Sequence, residues 1–328
     1  MGSKRSGADA VRSFVGDLRQ LASVRRIVLD DGPERGVQAL AFSTGGGLDF
    51  WVLCDRSFDI GPMWWRGTPV AWQSPAGFAN STLYNPDDEG GTGFERLFSG
   101  FLVTCGLDNT RQPIDGKPLH GRLPFTPGRL VAHGEDWHAS DPVLFCEGEV
   151  TQFRLNGERL RLFRRIEAPI GGARVRIVDR VQNIGGREEE VFLLYHTNFG
   201  FPVVAPGATV SWQNGYLLGP ISNAGDHAER SIQCLKAPPG VNPSVRLRRP
   251  PDGRWAGLEA TVDWDPATLP YLQVWTDFGS NNWVIGIEPV STARNDNGTS
   301  GAGTRLSPSE SRTFRVEYSF KDYNGTSE

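Results

Sequence analysis

Apolar and polar positions alternate with a period of two along most of the chain. The pattern is cleanest near the end, where Phe314, Val316, Tyr318 and Phe320 alternate with Arg315, Glu317 and Ser319. That spacing places successive side chains on opposite faces of a strand with one face buried. Runs of the same kind at 27–29, 37–42, 48–54, 143–153, 190–197, 260–264, 271–275 and 283–288 predict further strands. The segments 160–166 and 175–181 flank Ala168-Pro169-Ile170-Gly171-Gly172, which reads as a hairpin, and Gly45-Gly46-Gly47 turns one early strand back on the next. The period becomes helical only at the start. Val11, Phe14, Val15, Leu18 and Leu21 recur at i, i+3, i+4, i+7 and i+10 and predict a surface helix over 8–23.

About fifteen short strands and one helix are not a βαβ repeat, so a doubly wound parallel sheet is excluded. The expected architecture is all-β, a large antiparallel β-sandwich, with an N-terminal segment at 1–25 and one domain over 26–322. The loops at 72–93 and 291–303 are long enough to serve function. Composition agrees: 40 Gly and 23 Pro punctuate 328 residues, while 10 Trp and 18 Phe supply core and ligand-facing surface. The formal net charge of −4 gives no electrostatic reason to expect nucleic acid. No apolar run reaches the roughly 18 residues of a membrane helix, and no signal peptide is apparent, so a cytoplasmic protein is expected. Cys54, Cys105, Cys146 and Cys234 are widely spaced in apolar runs and read as buried free thiols.

The chemistry is narrowed first by what is missing. No phosphate-binding glycine loop, dinucleotide fingerprint, nucleophile elbow or H-E-x-x-H helix occurs, so no cofactor is implied. Of five histidines, His133, His138 and His227 lie in polar, turn-like segments and read as solvated. His120 follows a turn, and His196 ends the apolar strand Phe192-Leu193-Leu194-Tyr195. At such a place an imidazole either aims into a cleft or satisfies itself on a backbone carbonyl. Glu288 ends Trp283-Val284-Ile285-Gly286-Ile287, where desolvation raises a carboxyl toward a general base, unless an arginine pairs with it. Arg56 ends another apolar strand with Asp59 close by, and the two either bind ligand hydroxyls or neutralise each other.

Taken in order, these segments resemble the aldose 1-epimerase (galactose mutarotase-like) superfamily, and within it a bacterial branch carried as a domain of unknown function. Leu119-His120-Gly121-Arg122 is similar to its His-Gly motif, and Tyr195-His196-Thr197-Asn198-Phe199 to its second histidine motif. Leu272-Gln273-Val274-Trp275-Thr276 resembles a late site strand, and Ile287-Glu288-Pro289 with Asn295 the Leu-Glu-Pro…Asn signature. The stretch from Phe101 to Asn109 and Arg56 with Asp59-Ile60 are similar to the uncharacterised branch. The likeness spans about 27–318.

The resemblance implies a β-supersandwich with a sugar cleft across one sheet. It implies Glu288 as the base that takes the anomeric proton, His196 as the acid at the ring oxygen, and His120 beside that oxygen. It further implies substrate contacts from Arg56, Asp59, Asp108, Asn109, Arg122, Asn198, Trp275 and Asp277, with Trp72, Trp212 and Trp283 as additional stacking candidates. Arg122 stands where the superfamily has a second glycine, and Asp277-Phe278-Gly279 follows Thr276, so an acidic, deoxy or keto sugar is within scope. The implied partner is a monosaccharide or modified sugar, without nucleic acid or membrane, on a monomer or homodimer. Two other readings compete: a metal-dependent sugar isomerase using His120, His196 and Glu288, and a sugar-binding protein without catalysis.

Overall fold

The computed structural model describes residues 11–213, 215–222, 230–238, 240–279 and 281–325. Twenty strands form among them. The first six are β1 (Ser23–Val28), β2 (Gln38–Ser43), β3 (Leu48–Leu53), β4 (Asp59–Trp65), β5 (Thr68–Pro69) and β6 (Leu102–Leu107). The long middle strands are β7 (Arg129–Asp136), β8 (Val143–Phe153), β9 (Arg159–Pro169), β10 (Arg174–Asn183) and β11 (Glu189–Phe199). They are followed by β12 (Thr209–Trp212), β13 (Gly215–Leu218), β14 (Arg230–Lys236), β15 (Ser244–Arg249) and β16 (Leu258–Trp264). The last four are β17 (Tyr271–Asp277), β18 (Val284–Val290), β19 (Thr304–Leu306) and β20 (Ser311–Asp322).

An eleven-stranded sheet runs β1-β2-β3-β4-β6-β11-β18-β17-β14, with β5 on β4 and β19 on β11. A nine-stranded sheet runs β13-β12-β15-β16-β20-β10-β9-β8-β7. All pairings in both are antiparallel. The expected antiparallel β-sandwich is therefore the observed fold. The glycine turn joins β2 to β3, and the 168–172 turn joins β9 to β10, which pair from Arg176–Glu167 to Asn183–Leu160.

Period-two alternation closes the two sheets face to face. In β9, Leu160, Leu162, Ile166 and Ala168 are buried, and in β20, Phe314, Val316, Tyr318 and Phe320. Phe101 meets Tyr318 of the other sheet edge-on, ring centres 5.0 Å apart. Each such side chain contributes roughly 1.5–3 kcal/mol through removal from water.

One buried position of β9 is an arginine. Arg164 forks onto Asp179, its Nε 2.9 Å from Oδ1 and its Nη2 2.6 Å from Oδ2, and the Tyr195 hydroxyl donates to the same carboxylate at 2.7 Å. Asp59 lies 3.6 Å from Arg164 and accepts the Thr104 amide at 2.9 Å.

Of the predicted helix over 8–23, only Val11 is α-helical among the described residues. Asp17 is extended (φ −131°), its carboxylate accepts the Arg19 amide to start a three-residue 3-10 turn, and β1 begins at Ser23. Gly16 and Asp17 interrupt the helical register, and Phe14 is left 85% exposed. Elsewhere the helical segments are single turns such as Gly93–Arg96. No helix of the described residues is long and apolar enough to cross a membrane.

Candidate active site

The site is built on the face of the first sheet turned away from the core. Strand β18 runs between β11 and β17. Its Ile285 and Ile287 join the inter-sheet core, so Gly286 and Glu288 belong to the opposite face. Thr197 pairs with Ile287, which brings His196 level with Glu288, while Gln273 pairs with Glu288 from the other side. The same line continues to Val103 on β6 and Cys234 on β14. One transverse line thus carries Val103, His196, Glu288, Gln273 and Cys234. The next carries Asn198, Gly286, Trp275 and Ile232.

Loops raise walls around these lines and enclose a cavity of about 400 Å³, within the range of small-molecule sites. The 72–98 segment supplies Trp72, Ser74, Phe94 and Phe98, the 111–120 segment supplies Arg111, Gln112 and His120, and Arg294 and Gly298 come from the loop after β18. Phe98 is the aromatic hub. Its ring centre lies 4.9 Å from Phe94, 4.9 Å from His196, 5.2 Å from Trp72 and 5.9 Å from Trp275. The floor is open because position 286 has no side chain. A Cβ there would stand 2.5 Å from Glu288 Oε1, 3.2 Å from His196 Cε1 and 3.2 Å from the Trp275 ring.

Hydrogen bonds fix the proton positions around Glu288. Asn198 Nδ2 donates to the Gly100 carbonyl at 3.0 Å, leaving Oδ1 as acceptor 2.6 Å from His196 Nδ1. His196 therefore donates through Nδ1, and its Nε2 faces Glu288 Oε1 at 3.3 Å. His120 donates Nδ1–H to the Thr110 carbonyl at 2.8 Å, which frees its Nε2. On the far side Gln273 Nε2 donates to Glu288 Oε2 at 2.7 Å, and Arg111 Nε donates to Gln273 Oε1 at 3.0 Å. Glu288 Oε1 has no hydrogen-bond partner among the described residues.

Burial decides the charges. It pushes Glu288 up to about 8 against the pull of the Gln273 hydrogen bond and the Arg111 charge. It pushes His120 down to about 4 and, together with the charge of His120, holds His196 well below the ordinary histidine range. Near neutrality the Glu288–His196 pair holds one proton, on the carboxyl, 3.3 Å from a vacant imidazole nitrogen.

The family described as Domain of unknown function (DUF4432) matches residues 34–320. The chain belongs to this family. Its fold is shared with solved structures at low identity. One is a candidate aldose 1-epimerase from Klebsiella pneumoniae, 19% identical, with a TM-score of 0.71 over 95% of this chain and 86% of that one. Another is a galactose mutarotase-like protein from Clostridium acetobutylicum, 13% identical, with a TM-score of 0.61 over 92% and 98%. A third is a galactose 1-epimerase from Lactobacillus acidophilus, 10% identical, with a TM-score of 0.53 over 91% and 98%. No match is found among curated proteins.

Within this DUF4432 chain the sequence-predicted residues separate into three groups. Glu288, His196, His120, Trp275 and Asp277 line the cavity, and so does Trp72. Asn198 stands behind His196 and orients it. The remaining positions lie elsewhere. Arg56 and Asp59 are fully buried beneath the sheet, because a short charged run at a strand end points into the interior here. Asp108 and Asn109 line a separate polar cavity with Lys117 and Glu190. Asp108 pairs with Arg122 at 2.6 Å, and Arg122 also reaches Asp87 at 2.6 Å, tying two loops together rather than entering the site. Trp212 is core, and Trp283 packs on Phe278.

His133 and His138 are exposed, although His133 is on β7; His227 lies outside the described residues. All four cysteines are free thiols, three of them buried and Cys234 half-buried. Among the described residues no group of three His, Cys, Asp or Glu side chains is placed to hold a metal ion. Sequence reasoning missed Arg111, Gln273, Phe98 and Arg294 as cavity residues. Gln273 was legible in principle, two positions before Trp275 and hence on the same face.

Proposed function

We propose that the protein interconverts the anomers of a monosaccharide or modified sugar, with Glu288 as base and His196 as acid. The observation that carries this is the buried Glu288–His196 pair, 3.3 Å apart, opening onto a cavity walled by aromatic rings. Its one proton can sit on either partner. With the proton on His196, the Glu288 carboxylate takes the proton of the anomeric hydroxyl while the imidazolium gives its Nε2 proton to the ring oxygen. The C1–ring-oxygen bond breaks, C1 becomes an aldehyde, and the Glu288 carboxyl and neutral His196 remain. Rotation about C1–C2 and the reverse transfers close the ring as the other anomer, with no net change in protonation. Arg111, acting through Gln273, supports the carboxylate form, and the Asn198 bond holds the His196 ring in place. His120 lines the same cavity, its ring centre 5.4 Å from that of His196. The fold shared with proteins described as mutarotases and aldose 1-epimerases agrees with this reading.

The test is anomer exchange by NMR across a panel of free sugars. A sugar whose exchange is accelerated, with Glu288→Gln and His196→Gln each lowering the rate by about 10²–10⁴-fold, is the expected result. No acceleration for any sugar, or a Glu288→Gln variant as fast as wild type, would overturn it. Calorimetric binding without turnover would mark a sugar-binding protein instead.

A further inference from the structure

Three guanidinium groups line the cavity, and they are not equivalent. Arg111 is fully engaged: Nε bonds Gln273 Oε1, Nη1 bonds Thr292 Oγ1 and the Ala293 carbonyl, and Nη2 bonds the Thr292 carbonyl and Cys234 Sγ. Those are all five of its N–H groups. Arg230 is held by Asp277, Nε to Oδ2 at 2.8 Å. Arg294 has no hydrogen bond or ion pair from its guanidinium to any described residue, although it is half-buried in the cavity wall.

Its place is nonetheless built. The loop that bears it is closed by a bridge between Arg294 and Ser300, by Asn295 N–H on the Thr299 carbonyl at 3.0 Å, and by Asn295 Nδ2 on the Ser300 carbonyl at 2.9 Å. Gly298 in this loop has φ +84°, and a Cβ there would come within 3.1 Å of Arg294 Nη2 and 3.1 Å of Gln112. The glycine leaves the room in which the guanidinium lies beside Gln112. Arg111 feels the charges of both Glu288 and Arg294. Of the acids that line the cavity among the described residues, Asp277 is bound to Arg230, Glu288 is protonated near neutrality, and Glu95 is exposed.

We propose that the cavity selects a sugar bearing an anionic substituent, a carboxylate or a phosphate, bound by the guanidinium of Arg294 with the Gln112 amide beside it. The inference rests on the sugar reading above and adds its substrate class. At Arg294 the substituent's charge meets a planar donor fork that suits either anion.

The experiment compares a neutral hexose, the corresponding hexuronate and the hexose 6-phosphate with wild type, Arg294→Gln and Arg294→Lys. Anomer exchange by NMR and binding by calorimetry are both read, at low and high salt. The expected result is that at least one anionic sugar is preferred over the neutral one, and that the preference falls about tenfold in Arg294→Gln. Arg294→Lys should retain part of it, and salt should weaken it. Which anionic sugar responds separates carboxylate from phosphate. A wild-type protein that binds the neutral hexose as well as both anionic sugars would overturn the inference while leaving mutarotation standing. So would a preference unchanged in Arg294→Gln. If no sugar exchanges faster, mutarotation fails, and calorimetry with the same variants still decides the anion site.

Discussion

Glu288 and the two cavity histidines are shifted in opposite directions by the same burial, and that sets measurable signs. The Glu288 carboxyl titrates at about 8 in the folded chain, against its ordinary 4.5. Stability from its protonated form is complete below 4.5 and declines as pH rises to about 8. Between pH 6.5 and 8, urea unfolding should show wild type losing up to roughly 1.4 kcal/mol per pH unit, with the loss flattened in Glu288→Gln. His120, at about 4 in the folded chain against 6.5, has the reverse sign. It favours the folded state above pH 6.5 and withdraws that support as pH falls toward 4. Activity should follow the shared proton. The exchange rate should fall above about pH 8, where Glu288 loses its proton and His196 has none to give. A rate that stays level to pH 10 would contradict the assignment.

At the scale of the element, the site is a consequence of register. Strands at β11, β17 and β18 were legible as apolar runs, and two-residue strand geometry then places His196, Gln273, Trp275 and Glu288 on defined faces. Which strand lies beside which was not visible, because β11 and β18 are about ninety residues apart and period two carries no partner information. The charged residues misled for a related reason. Arg56 and Asp59 sit in and just after the turn between β3 and β4, and only the second sheet, arriving with Arg164, makes that turn interior. Gly286 gives this scale its own prediction. Gly286→Ala places a methyl group against Glu288 Oε1 and His196, so anomer exchange should fall at least tenfold, with an overpacking cost of about 1–3 kcal/mol. A thermal melt alongside the exchange assay checks both.

Across the whole molecule, two sheets are joined by an apolar interior with a small ionic cluster inside it. Arg164 is bidentate on Asp179, which also accepts from Tyr195, so Arg164→Met leaves a buried carboxylate unpaired and should cost about 3–5 kcal/mol. Arg56 is equally buried, but none of its three guanidine nitrogens finds a hydrogen-bond partner among the described residues, and burial lowers its proton affinity with only Asp59 opposing. Arg56→Met should therefore cost clearly less, and unfolding curves of the two variants would show the order. Finally, β20 occupies an interior place in the nine-stranded sheet, between β16 and β10. During synthesis β10 leaves the ribosome early and has no neighbour on that side until Ser311–Asp322 has emerged. The nascent chain must carry an open strand edge for well over a hundred residues of translation. A ribosome stalled before Ser311 should hold a protease-sensitive, chaperone-bound chain, and the released 328-residue chain should be resistant.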